Sequence, residues 1–281
     1  MASKALSANE AWLKLLNDLV KTGTYSTPRG KPTLELLGHQ TRINMTCPVV
    51  TTTKRKLGYR FLPAEAAWIL SGDNRVETIA PYGKHIAQFS DNGSFFEGAY
   101  GPQIIDQLSY VLSALGGEDV ESRQAVMTTW KPRPRPSKDI PCTVALQWLV
   151  RPLTTDQDDL GLHCFVTMRS SDAWLGWPYD VFNFSMLSAY LACLLEQRYQ
   201  RPLSLGDLCL TAGSQHIYEV NQAGAKACLN APSSNLVYAP FNHHEFADNP
   251  GNLIRHLRGL ADRRPSSLYG SWLTELLTDD L

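Results

Sequence analysis

Near the N-terminus, Trp12, Leu15, Leu16, Leu19 and Val20 recur at the spacing of one helix face, and Ser7 and Glu10 precede them in the arrangement of a capping box. This predicts an opening amphipathic helix. A turn-rich stretch, TGTYSTPRGKP, then gives way to the alternating residues of a strand in LELLGHQTRINM. In FLPAEAAWILSGDN, Pro63 suits a first helical turn, and the good helix formers that follow face a core through Trp68 and Leu70. Residues 76–101 are rich in glycine, aromatic and polar residues and read as loop. Ile104, Ile105, Leu108, Val111, Leu112 and Leu115 mark a further helix, stopped at Gly116-Gly117. Strands are predicted over 125–130, 144–150 and 160–168. The longest apolar run, 181–195, has helical length, but Asn183, Ser185 and Ser188 interrupt it and it falls short of the roughly 20 residues of a membrane span.

Composition narrows the class. A chain of 281 residues with 43% hydrophobic positions can bury a full core, so a single large domain over 1–281 is expected. The formal net charge of −1 provides no global field for nucleic acid or an anionic membrane. The one biased segment, KPRPRPSKD at 131–139, reads as an extended solvated loop, and without aromatic residues to stack bases it does not predict nucleic-acid binding. Six cysteines lie without paired spacing, and neither CxxC nor a Cys/His pattern is present, so no metal site is expected and a reducing compartment fits. The first residues, MASKALSANEAW, lack the apolar segment of a signal peptide, and the expected location is the cytoplasm.

Candidate chemistry is densest in RSSDAWLGWPYD, residues 169–180. Singly, Arg169 reads as a surface cation, Asp172 as a turn cap, Gly176 and Pro178 as loop punctuation, and Asp180 as the N-cap of a helix starting at Val181. Glu65 reads likewise as an exposed first-turn carboxylate. Cys142 stands apart: at a loop-to-strand junction it is partly accessible, and neighbouring guanidinium groups can keep it ionised.

Taken together, Arg169, Ser170, Asp172, Leu175, Gly176 and Pro178 stand in register with R-S-x-D-x-x-L-G-x-P-F-N, and the chain resembles the thymidylate synthase family there. Further likenesses follow in the family's order over roughly residues 10–220: Gly38-His39-Gln40, PVVTTTKRKL, the helix of Glu65, Tyr100-Gly101-Pro102-Gln103, Ser122-Arg123, Pro141-Cys142 and Gly213-Ser214-Gln215-His216-Ile217-Tyr218. The resemblance implies an α/β fold, a large mixed β-sheet flanked by helices, with two subunits packing sheet against sheet. It implies Cys142 as nucleophile and Glu65 as proton-transfer group. Arg29 is implied for the nucleotide phosphate, with Arg123 lent by the partner subunit, Arg169, Ser170 and Asp180 for the nucleotide, and His216 and Tyr218 for its sugar. The implied folate contacts are Asp172, Gly176, Ile86, Phe89 and Tyr100, with 5,10-methylenetetrahydrofolate as the one-carbon donor.

Four departures matter. Asp180 stands where the family has asparagine, Thr143 follows the nucleophile instead of histidine, Gln124 replaces a second arginine, and Ile86 and Phe89 lie nearest the positions of a paired-tryptophan wall. The final residues, YGSWLTELLTDDL, also differ from the family's closing C-terminal peptide. Asp180 points to cytosine, and the altered wall and C-terminus favour water over hydride at the one-carbon unit. The resemblance is thus closest to the deoxycytidylate 5-hydroxymethylase branch, including its phage-encoded members, whose product enters DNA. A dCMP C5-methylase and a dUMP hydroxymethylase are the alternatives within the class. A silent homologue that binds nucleotide or RNA is the alternative outside it.

Overall fold

The computed structural model describes residues 5–52, 54–55, 57–132, 135–154, 159–231 and 239–264, and the C-terminal residues 269–281 whose pattern departs from the family lie outside these. The elements in chain order are α1 (Ala8–Thr22), β1 (Thr24–Ser26), β2 (Thr33–Asn44), α2 (Phe61–Leu70), α3 (Val76–Ile79), α4 (Tyr100–Gly116), β3 (Val126–Thr128), β4 (Thr143–Pro152), β5 (Leu160–Asp172), α5 (Trp177–Tyr199), β6 (Ser204–Tyr218), α6 (Glu219–Leu229) and α7 (Gly251–Ala261). Short 3-10 turns cover Pro28–Gly30, Lys84–Phe89 and His243–Phe246.

The six strands form one mixed sheet in the order β1-β2-β6-β5-β4-β3. All neighbours are antiparallel except β5 and β6, which run parallel. A parallel pair needs a crossover, and α5 is that crossover. Its long buried stretch explains why the sequence shows an apolar run with no polar face. Indole N–H groups hold the helices to the sheet: Trp148 Nε1 donates to Ser188 Oγ at 2.9 Å, Trp177 Nε1 to Thr41 Oγ1 at 3.3 Å and Trp12 Nε1 to the Ala173 carbonyl at 2.7 Å. Helix α1 begins with the predicted capping box, Ser7 Oγ accepting from the Glu10 amide while Glu10 accepts from the Ser7 amide, and buries Trp12, Leu15, Leu16 and Leu19.

The sheet has two unlike faces. Thr41, Ile43, Met127, Val166 and Met168 are buried, whereas the alternate residues Gln40, Arg42, Val126, Thr128, Phe165 and Thr167 are exposed. At Gly38, φ is 63°, a conformation suited to glycine, and the β2–β6 ladder skips from Leu37↔Ser214 to His39↔Ala212 there.

Several boundaries differ from those expected. Strand β5 runs four residues past Met168, to Asp172, because β6 continues to pair with it up to Asp172↔His216. Strand β3 is shorter than 125–130, since Thr129 turns its hydroxyl onto the Thr143 carbonyl at 2.6 Å. Helix α5 starts at Trp177, not Val181: Pro178 fits its first turn, and the Asp180 amide already donates to the Gly176 carbonyl at 3.0 Å. Asp180 therefore lies inside the helix and is not its N-cap. Ile105 of α4 is 43% exposed instead of facing the core, and residues 76–101 contain α3 and a 3-10 turn.

Candidate functional site

A cavity of about 470 Å³ opens where the C-terminal ends of β5 and β6 meet the start of β4, the later turns of α2 and the first turns of α4 and α5. Its wall contains Arg29, Glu65, Ile86, Phe89, Tyr100, Cys142, Arg169, Ser170, Asp172, Gly176, Asp180, His216 and Tyr218, so every expected site residue but Arg123 is brought together. Arg123 is exposed at the far sheet edge, its carbonyl accepting from Gln147 Nε2 at 2.8 Å.

Pairing of β4 with β5 creates the centre. The ladder begins with the Arg169 amide donating to the Cys142 carbonyl at 2.8 Å. The Arg169 guanidinium then folds back along the loop, donating from Nε to the Pro141 carbonyl at 2.8 Å and from Nη2 to the Ile140 carbonyl at 3.0 Å, with Cys142 Sγ 3.7 Å from Nη2. The Trp130 ring lies beneath the guanidinium, 5.9 Å from ring centroid to Cζ. Burial pushes the Cys142 thiol up from its ordinary value, Arg169 pulls it down, Asp180 and Asp139 push it up, and Arg29 adds a smaller downward pull. This corrects the expectation of a thiol held ionised by guanidinium charge: in this wall, desolvation and two carboxyl groups outweigh the cations.

Three carboxyl groups share the opposite side. Glu65 is not the exposed residue that its place near a helix start suggested. Its side chain faces the cavity, Oε2 accepts from Asn183 Nδ2 at 2.8 Å, and burial lifts the carboxyl to about 7 against that hydrogen bond. Asp172 closes a tight turn, its Oδ1 accepting from the amides of Trp174 at 2.8 Å and Leu175 at 2.9 Å. Asp180 has no side-chain hydrogen-bond donor among the described residues, and burial, with Glu65 and Asp172 nearby, raises its carboxyl well above the usual range.

The remaining wall is aromatic and apolar. Tyr100 stacks on Phe184 at 6.3 Å and accepts from the Thr143 amide at 3.3 Å, and burial raises its phenol. His216 and Tyr218 meet edge to face at 5.2 Å, and His216 Nδ1 is buried with no hydrogen-bond partner among the described residues. Arg29 sits in the left-handed region, φ 54°, and is exposed at the rim. Ile86 is half buried, while Phe89 and Leu175 are 49% and 56% exposed at the mouth.

Sequence reasoning missed Asn183 and Asp139, both in the wall. Asn183 could have been found as a polar residue one helical turn after Asp180 within an apolar run. For Asp139 the only signal is its place three residues before Cys142.

An apolar mouth, a floor of titratable groups and a cationic rim together form a site for an anionic, planar, hydrogen-bonding ligand beside a thiol nucleophile. Residues 10–245 match the family model described as thymidylate synthase.

Proposed function

The chain belongs to the thymidylate synthase family, and from that premise we propose that it transfers a one-carbon unit to C5 of dCMP and releases 5-hydroxymethyl-dCMP. Membership itself brings folate-dependent one-carbon transfer to a pyrimidine nucleotide. The finer reading rests on Asp180, a carboxyl group in the cavity wall with no side-chain hydrogen-bond donor among the described residues. In its protonated form, which burial favours, it donates its O–H to the cytosine N3 acceptor while its other oxygen accepts from the N4 amino group. Uracil presents the reverse pattern, an N3 donor beside an O4 acceptor, and opposes like groups to it.

In this reading Arg29, Arg169 and Ser170 receive the phosphate, and His216 and Tyr218 the sugar. Asp172, Gly176, Ile86, Phe89 and Tyr100 hold the folate. An apolar mouth completed by Trp68 and Leu175 fits a flat ring system, so the residues present suit that co-substrate. When bound, 5,10-methylenetetrahydrofolate supplies carbon at the oxidation level of formaldehyde.

Cys142 adds to C6 as thiolate, giving C5 the character of an enamine. A bound phosphate draws on Arg169 and Arg29 for its own neutralisation, and the thiol proton passes to water as the sulfur attacks. Glu65, titrating near neutrality, serves both to accept and to return protons, and the amide of Asn183 holds its Oε2 in place. C5 would then bond to the one-carbon unit as the bond from that unit to the folate nitrogen breaks, and with the C5 proton passing to Glu65 the base would be left carrying an exocyclic methylene. Ile86 and Phe89 form a smaller and more open wall than paired tryptophans, which favours capture of that carbon by water.

Homodimerisation completes the site. Arg169 shares its strand face with Phe165 and Thr167, the face left open by the helices. A second copy packed there brings its Arg123 toward the same phosphate. The expected result of incubating the protein with methylenetetrahydrofolate and either dCMP or dUMP is 5-hydroxymethyl-dCMP, identified by mass, without dihydrofolate absorbance. Formation of 5-methyl-dCMP with dihydrofolate would establish the methylase reading instead, and modification of dUMP alone would show that Asp180 does not select cytosine.

A further inference from the structure

The mechanism above leaves one cavity carboxylate unused, Asp139, and gives no group to activate the water. We propose that Asp139 is the general base that deprotonates the water captured by the exocyclic methylene. The inference rests on the dCMP hydroxymethylation reading and deepens it.

Asp139 lies in the same wall as Cys142, three residues ahead of it on one loop. Three residues of chain span at most about 10 Å, so the carboxylate is confined to the neighbourhood of the sulfur, and it acts electrostatically on that sulfur. Its position is clamped. Oδ2 accepts from the Gly98 amide at 2.8 Å, and its own amide donates to Ser137 Oγ at 3.0 Å. The two backbones press together so closely that a Cβ on Gly98 would lie 2.2 Å from the Asp139 carbonyl oxygen. Arg169 braces the next two carbonyls, those of Ile140 and Pro141. With Oδ2 engaged, Oδ1 has no donor among the described residues. A fixed carboxylate in the cavity wall with one open oxygen is what a water-activating base requires.

The other carboxyl groups are already committed. Glu65 is tied to Asn183, Asp172 to two backbone amides, and Asp180, close enough to Glu65 to feel its charge, is assigned to the base. Burial also raises the Asp139 carboxyl from its ordinary value, Gly98 opposing and Asp91 and Glu97 adding, which moves it toward the range of a base that works near neutrality.

The water oxygen forms a bond to the methylene carbon as one of its protons passes to Asp139 Oδ1. The electron pair of the C5–methylene double bond moves onto C5 and into the ring. That pair then re-forms the C5–C6 double bond as the C6–sulfur bond breaks, and Cys142 leaves as thiolate. Asp139 returns its proton to the thiolate or to solvent. No oxidant or reductant is needed.

The test uses the full chain with dCMP tritiated at C5 and methylenetetrahydrofolate. Native protein is expected to release tritium and form 5-hydroxymethyl-dCMP. In Asp139→Asn, which keeps an acceptor for Gly98, the first turnover should still release tritium. Hydroxymethyl product should fall by about 100-fold, and intact-protein mass should reveal nucleotide bound to Cys142. Added 2-mercaptoethanol should then capture the methylene as a thioether nucleotide. Asp139→Glu should recover part of the rate. Asp139→Ser provides a second variant should the amide fail to fold, with the same accumulation expected. Product formation at the native rate in Asp139→Asn would overturn the proposal. So would loss of tritium release in step with product in a folded variant, which would mark Asp139 as a support for the nucleophile. A native protein that forms only methylated product would refute the hydroxymethyl reading itself, a result visible without any variant.

Discussion

At the scale of single residues, two carboxyl groups carry opposite lessons about burial. Asp180 lies inside the first turns of α5, where asparagine is an almost isosteric replacement that gives up no cap. Asp180→Asn is therefore expected to fold normally and to present an amide in the orientation that suits uracil. A mispaired buried polar group costs about 1–3 kcal/mol, so kcat/KM ratios should move from dCMP toward dUMP by roughly 10- to 100-fold. Equal ratios before and after would exclude Asp180 as the reader of the base. Glu65 makes a prediction about stability as well as rate. Its carboxyl is raised from 4.5 to about 7, so folding favours its protonated form. That contribution is fully present below the unfolded value and is lost as pH rises through about 7. Glu65→Gln should thus gain stability relative to the native protein between pH 4.5 and 7.5, by at most about 3 kcal/mol, while kcat falls by about 100-fold or more. Urea unfolding of both proteins at the two pH values measures the first. A difference that does not change with pH would show that folding does not raise the Glu65 carboxyl.

At the scale of elements, the site depends on how α1 meets the turn between β5 and α5. Trp12 of α1 reaches the Ala173 carbonyl, and Arg55 lies over the rings of Trp12 and Trp174 at 5.5 and 4.9 Å. This contact fixes the turn in which Asp172 organises the backbone before Gly176. Trp12→Phe keeps an aromatic ring but removes the N–H, leaving a buried carbonyl unpaired, at an expected cost of about 1–3 kcal/mol. Since the turn carries residues proposed for the folate, KM for methylenetetrahydrofolate should rise while discrimination between dCMP and dUMP stays the same. Unchanged stability in thermal or urea melts would show that the carbonyl finds another donor.

At the scale of the whole molecule, the proposal that a second copy completes the phosphate site rests on the open sheet face and the position of Arg123. Arg123 is exposed and absent from the cavity of its own chain, whereas Arg169 lies on the strand face that a partner would cover. A Cys142→Ala chain and an Arg123→Ala chain should each be inactive or severely slowed as homodimers. In a mixed dimer, one of the two sites then has both an intact cysteine and an intact partner arginine. Mixing the variants under conditions of subunit exchange should restore activity. Exchange demonstrated by mass without restored activity would refute the shared site.

The sequence by itself determined the features governed by neighbours along the chain. The capping box of Ser7 and Glu10, the buried stripe of α1, the apolar α5 and the alternation of β2 arise from local hydrogen bonding and from the 3.6- and 2-residue periods of side-chain direction. The motif residues around Arg169, Cys142 and His216 were equally legible, because their types and order do not depend on where the chain runs. Tertiary structure decided what each of those residues experiences. Only the pairing of β4 with β5 brings the Arg169 guanidinium to Cys142, and only the packing of α2 on α5 buries Glu65 against Asn183. The start of α5 at Trp177 left Asp180 without a cap to make and with a carboxyl facing the cavity. The contact of Gly98 with Asp139 joins segments forty-one residues apart. Protonation state, access and hydrogen-bond partners are set by such distant contacts and by the water they exclude, and no local pattern of residues records them.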